Sequence, residues 1–359
     1  MSGGVTADAP RRTGRRGGFA ETSLEKRGLR LELGAPVTAA VDIGDAVAAS
    51  FGDGTVRMFR HGLTPLVAHA HRGAVLAMAP DGDHVLTGGD DGRFLRVSLQ
   101  GEVQEIADFG TRWVDCVAAH RGIRACSSGR IVHVWTGGAS KALTFEHPST
   151  VGGLAFDAKG KRLAVGHYGG ITIWERGDRR WKASKLVWKG SHGMVTFSPD
   201  GKFLVSAMQE NALHGWRLRD KIDMQMGGYP AKIKSFTWVG TTPHLATSGA
   251  DEAICWPFDG KEGPLGRAPL CVAHGGKQLA TVVQTFPGEA AVLAGFQDGA
   301  VLLGEMDDTK DGIVLRGSTG TEVTAIAVTA SRSHILIGDA RGSVLWAPLW
   351  AGETDARPI

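Results

Sequence analysis

Apolar positions along the chain fall in short runs, many of them β-branched, set between glycine-rich and polar clusters. Val75 to Met78, His84 to Thr87, Leu163 to Val165, Phe203 to Val205 and Ile335 to Ile337 are examples. Runs this short, bounded by turn residues, predict strands rather than helices. The pattern also repeats. Segments with a polar or glycine turn followed by a strand end at residues 59, 97, 135, 174, 216, 257, 304 and 347, in steps of 38, 38, 39, 42, 41, 47 and 43. A fixed period of about 40 marks a repeat architecture, in which each unit buries its apolar face against its neighbours.

A second marker runs in phase with the first. About 15 residues upstream of each end lies a hairpin turn, as at Pro80-Asp-Gly82, Ala158-Lys-Gly160, Pro199-Asp-Gly201 and Ser331-Arg-Ser333. Each repeat therefore predicts three strands and an outer fourth. Small residues on the innermost strand, such as Thr38-Ala-Ala40 and Ala325-Ile-Ala327, suit crowding near a central axis. The expected fold class is all-β, a β-propeller of four-stranded antiparallel blades. Repeat count gives eight blades, or seven if one repeat is broken.

On these residues the chain resembles the WD40-repeat family over roughly residues 29–350. Trp135, Trp174 and Trp216 occupy the family's Trp position, Phe59 and Val97 replace it, Trp256 and Trp346 fall one residue early, and Gly304 departs from it. The resemblance implies a buried network in each repeat that joins a His, an Asp in the turn before the third strand, a Ser or Thr, and the Trp. His69, His147 and His274 match the His position, with Gly110, Trp188, Tyr229 and Ser318 standing there elsewhere; Asp53, Asp91, Asp251 and Asp298 match the Asp position. The structural network is thus assigned to His69, Asp91, His147, His274 and Asp298. No repeat keeps His, Asp and Trp together, so complete networks are not expected.

Ring closure is legible at the ends. The chain has only twelve residues after Ala347, too few and too polar for a convincing outer strand, whereas Leu29-Arg-Leu-Glu-Leu33 alternates apolar and charged positions as an edge strand does. That N-terminal strand is predicted to complete the last blade, leaving only short protected edges. The domain organisation is a disordered basic arm over 1–28, the propeller over 29–350, and a short polar tail over 351–359.

Composition and charge narrow the function. Glycine makes 52 of 359 residues, which fits a turn-rich chain, and no long apolar stretch predicts a membrane span. Residues 1–30 hold seven basic and three acidic residues, so the net charge of +3 arises in the arm. Cys116, Cys126, Cys255 and Cys271 include no Cys-x-x-Cys pair and are too few to staple the fold, and no secretory apolar region follows the arginines of the arm. A cytoplasmic location is expected. Cys116 and Cys126 flank the turn at Arg121 and are expected to face each other across a hairpin.

No nucleophile elbow, zinc-protease motif, phosphate loop or dinucleotide fingerprint occurs. The expectation is a non-enzymatic protein-interaction scaffold, with no cofactor, metal or small-molecule substrate. Loops entering the innermost strands carry Arg72, Arg112, Trp113, Lys232 and Lys277, with Tyr168 and Tyr229 nearby, a mixture suited to a protein partner such as an acidic peptide or loop. A second basic loop, Arg176, Arg179, Arg180, Lys182 and Lys185 around Trp181, lies on the opposite face. Two alternatives stand beside the scaffold: a metal-binding accessory protein using loop histidines, the His69-Ala-His71 pair among them, and a nucleic-acid-associated protein using the basic arm. Propellers of quinone-cofactor dehydrogenases are a further class, set aside because their longer chains and export signals have no counterpart here.

Overall fold

Asp-Gly turns fix the local geometry. Asp53, Asp91 and Asp298 each accept a hydrogen bond on Oδ1 from the backbone N–H two residues on (Thr55, Arg93 and Ala300, at 3.0, 3.2 and 3.1 Å), which closes the turn between the second and third strands of a repeat. The glycine that follows is required twice over. Gly54 and Gly92 have φ of +83° and +80°, and a Cβ there would meet the His71 and Gly110 carbonyl oxygens at 2.4 and 1.9 Å. Those contacts are the seam where each repeat's outer strand passes into the next repeat: Ala70 and His71 N–H groups donate to Gly54 O, and Phe109 N–H to Gly92 O.

The computed structural model describes residues 21–309 and 312–350. Its strands form antiparallel sheets in repeat order. The first sheet holds Val37–Ile43, Ala46–Phe51, Thr55–Arg60 and Leu66–His69; the second holds Val75–Asp81, His84–Gly89, Arg93–Ser98 and Val103–Asp108. Innermost strands pack against one another in sequence, and the last of them, Val323–Val328, returns to Val37–Ile43 to close a ring. Closure is by the N-terminal strand: Leu29–Glu32 pairs antiparallel with Ser343–Pro348, with Leu29 opposite Trp346 and Leu31 opposite Val344. Just before it, Ser23–Arg27 form a short helix inside the stretch expected as disordered arm. A capping box between Thr22 and Glu25 starts it, and Leu24 is buried against the last sheet. The arm's first twenty residues lie outside the described ones.

Among the described residues the hydrogen-bonded sheets number seven, not the eight expected from eight phased repeats: six have four strands and one has six. The repeats ending at Trp174 and Trp216 share the six-stranded sheet, because pairing runs on between them. Tyr168 lies opposite Ser191 and Gly170 opposite Val187, so Arg162–Arg176 and Trp181–Phe197 each continue through what are turns elsewhere. Arg162–Arg176 also doubles back, since Arg176 N–H donates to Lys161 O at 2.8 Å.

The core lies between neighbouring units. Phe51, Phe59 and Val47 of the first sheet pack with Leu336, Val344 and Trp346 of the last, and Phe94 packs with Trp135 at 5.3 Å between ring centroids. Full burial of a Phe contributes roughly 1.5–3 kcal/mol, so such rings carry much of the adhesion between sheets. Phe59, which replaces Trp at its repeat end, is fully buried and touches Trp346 instead.

Candidate protein-binding face

Two faces follow from the connectivity. The upper face carries the turns between second and third strands and the loops entering the innermost strands; the lower face carries the remaining turns. Arg72, Arg112, Lys232 and Lys277 are exposed on the upper face. Trp113 and Tyr168 stand there 60 % and 59 % exposed and are the only exposed aromatic side chains among the described residues. Tyr168 is held in place by its backbone N–H, which donates to Ser149 Oγ at 2.8 Å. Close to Trp113, Asp115 accepts from Ser127 Oγ at 3.1 Å, and burial raises its pKa. Lys232 Nζ donates to Gln209 Oε1 at 2.8 Å.

Tyr229 is not on this surface. It is 8 % exposed and occupies the network position of its repeat: Trp256 Nε1 donates to Tyr229 Oη at 2.7 Å, and the phenol lies 2.7 Å from Thr247 Oγ1, which donates to Ile254 O at 3.0 Å. Burial pushes the phenol up to about 12.

The network histidines divide. His147 is buried, accepts from Trp174 Nε1 on Nε2 at 3.1 Å and donates from Nδ1 to Arg130 O at 3.3 Å, with burial holding it down to about 4. His274 is exposed and lies 3.3 Å from Glu252 Oε2. His69 is exposed at the end of its strand; the network member is His71, which donates from Nδ1 to Asp91 Oδ1 and accepts on Nε2 from Thr87 Oγ1, both at 2.9 Å. The strand stops at His69, so His69 and His71 do not share one strand face. Asp298 serves its turn, and its carbonyl accepts from Thr319 N, Gly320 N and Ser318 Oγ. Sequence reading also missed His192 and His214. His192 hydrogen-bonds Ser206 at 2.7 Å, while His214 stacks on Trp188 at 4.0 Å with neither ring nitrogen hydrogen-bonded.

Between the innermost strands a cavity of about 430 Å³ is lined by Thr38, Ser235, Thr281 and Thr324. Lys234 Nζ and Glu322 Oε1 pair at 2.6 Å on its wall. On the lower face Arg176, Arg179, Arg180, Lys182 and Lys185 are exposed, with no ion pair among the described residues, but Trp181 is half-buried against Phe145 and does not accompany them. Cys116 and Cys126 do not face each other: Cys116 lies opposite Ser127 and Cys126 opposite Val117, so the two point to opposite sides of the sheet into different core clusters. Among the described residues no three His, Cys, Asp or Glu side chains are placed to hold a metal, and no helix is long and apolar enough to cross a membrane.

Residues 64–94 match the family described as WD40, WD domain, G-beta repeat. These residues span the His71, Thr87 and Asp91 network. The chain is a β-propeller that carries a WD40 repeat at residues 64–94. Two solved structures share the propeller fold. The computationally designed Ika8 protein has a TM-score of 0.72 at 17 % identity, covering 91 % of this chain and 100 % of that one. The C-terminal WD40 domain of Sif2 has a TM-score of 0.71 at 13 % identity, covering 90 % of this propeller and 98 % of that chain. No curated protein matches the sequence.

Proposed function

We propose that the propeller is a non-enzymatic scaffold, acting in the cytoplasm, whose upper face binds a protein partner through Trp113 and Tyr168, with Arg72, Arg112, Lys232 and Lys277 around them. The observation that carries this reading is the exposure of those two aromatic rings on one face, when every other Trp, Tyr and Phe among the described residues is buried or half-buried. Exposed aromatics beside arginines are the composition of interface hot spots, since a rigid ring buries much area for little lost rotamer freedom. The cations select a partner segment with acidic groups. The six-stranded sheet is read as two repeat units. Ala164, Ile171, Ile173 and Leu186 pack with Val195, Phe197, Leu204 and Trp216, as facing surfaces of neighbouring units do.

The test is affinity purification of full-length protein from its native cells beside a Trp113→Ala, Tyr168→Ala double variant and an Arg72→Glu, Arg112→Glu, Lys277→Glu triple variant. All should share the wild-type circular dichroism spectrum. A stoichiometric partner retained by wild type and lost by both variants is expected. Retention of that partner by both would move the site off this face.

A further inference from the structure

Arg316 is 3 % exposed, and among the described residues no carboxylate lies within 4 Å of its guanidinium, although Asp339, Glu25 and Asp298 are near enough to act on its charge. Its Nε donates to Gly299 O at 2.9 Å, but Nη2 is buried with no acceptor. A buried guanidinium is costly unless hydrogen-bonded and paired. Burial lowers its pKa to about 10, which leaves it charged at neutral pH. Thr319 Oγ1 is likewise buried without a partner. Both residues line a cavity of about 270 Å³ between the last two sheets, beneath the closing N-terminal strand.

The rest of the lining is charged on both sides. Arg30 is satisfied by Glu21 and Glu25, at 2.7 and 3.3 Å. That leaves buried Arg316 and exposed Arg341 as cations, and exposed Glu32 and buried Asp339 as carboxylates, without an ion pair within 4 Å among the described residues. Asp339 Oδ1 accepts from the Arg341 and Ser343 backbone N–H groups, which fixes the carboxylate in the cavity wall. One buried and one rim charge of each sign around one small cavity do not suit a simple anion, which would face the carboxylates, nor a simple cation, which would face the arginines.

We propose that this cavity binds a small zwitterion of the α-amino-acid class. The ligand carboxylate lies on Arg316 and Arg341 with Thr319 donating to it, and the ligand ammonium lies on Glu32 and Asp339. A planar guanidinium matches a carboxylate with two parallel hydrogen bonds, and charge-assisted bonds of this kind are roughly twice as strong as neutral ones.

The experiment uses the full chain and calorimetric titration with three probes: L-alanine, propionate, which keeps only its carboxylate end, and ethylammonium, which keeps only its ammonium end. Saturable binding of alanine is expected, with each single-charge probe weaker by about tenfold or more, because each forfeits a charge-assisted contact. Thr319→Val and Arg341→Ala, whose folding is checked by circular dichroism, should each weaken alanine by about threefold or more. A flat alanine titration, propionate binding as tightly as alanine, or wild-type alanine affinity in both variants would each overturn the proposal.

Discussion

Trp256 Nε1 and Tyr229 Oη stand 2.7 Å apart, and the phenol in turn hydrogen-bonds the Thr247 hydroxyl, so a tyrosine completes a network in a place where the family resemblance implies a histidine. Removing only the oxygen isolates this relay from the packing of the ring. Tyr229→Phe is expected to destabilise the propeller by about 1–3 kcal/mol, since the Trp256 N–H and Thr247 hydroxyl lose a partner while buried. Urea denaturation checks this, and a double-mutant cycle with Thr247→Val should show coupling between the two positions.

The correction from His69 to His71 makes its own prediction. His71→Ala should cost about 2 kcal/mol or more, because it empties a buried site, leaves the buried Thr87 hydroxyl without its partner and takes one of the hydrogen bonds from Asp91. His69→Ala, at an exposed position, should stay within about 0.5 kcal/mol of wild type. Thermal melts of the two variants decide it, and equal losses would contradict the assignment.

Acid sensitivity follows from burial of imidazoles. His147 and His214 are held down to about 4 by desolvation, so both are neutral in the folded state near pH 6. A lowered folded pKa means that the unfolded chain binds the extra protons. The stability these groups contribute is therefore full above the unfolded value of about 6.5 and is lost as pH falls toward 4. His214→Phe keeps a ring against Trp188 but removes two buried nitrogens that make no hydrogen bond, Nε2 lying 3.7 Å from Asp223 Oδ2. It should raise the urea midpoint, and by more at pH 5 than at pH 7.5.

Ring closure is tested by shortening the N-terminus. A chain starting at Glu21 keeps the capped helix and the strand Leu29–Glu32, and its melting temperature should match the full chain. A chain starting at Ala35 exposes the Ser343–Pro348 edge and unburies Leu345 and Ala347 under the lost helix. Its melting temperature should fall by about 5 °C or more, if the lost burial exceeds a few kcal/mol in a ring of this size. Equal melting temperatures would show that the N-terminal strand adds nothing.

What the sequence made legible was whatever repeats. Phased turns, the aromatic strand ends and the alternating Leu29–Leu33 segment located the strands and the closing pair correctly, because each is a local pattern read at a fixed period. Side-chain partnerships were harder. His69 and His71 differ by two positions, and only the point where Leu66–His69 stops distinguishes an exposed ring from the network ring. The Thr22-x-x-Glu25 capping box is a local signal for the short helix, but it sits in a stretch whose composition alone reads as a disordered arm. The shared six-stranded sheet has no sequence marker beyond Tyr168-Gly-Gly170, where the expected acidic turn residue is missing. Arg316 and Thr319 come together only when the last two sheets meet, so no motif could have announced their cavity.

The pairing of Leu29 with Trp346 joins positions separated by more than three hundred residues. During translation at about 5–20 residues per second, the N-terminal strand is made first and waits roughly 15–60 s for the edge that receives it. Until then its alternating apolar side chains and unpaired backbone are exposed, beside a growing stack of sheets whose last edge is always open. The charged residues interleaved in Leu29-Arg-Leu-Glu-Leu33 therefore have a task before the ring exists: they discourage premature pairing with the wrong edge or with a neighbouring nascent chain.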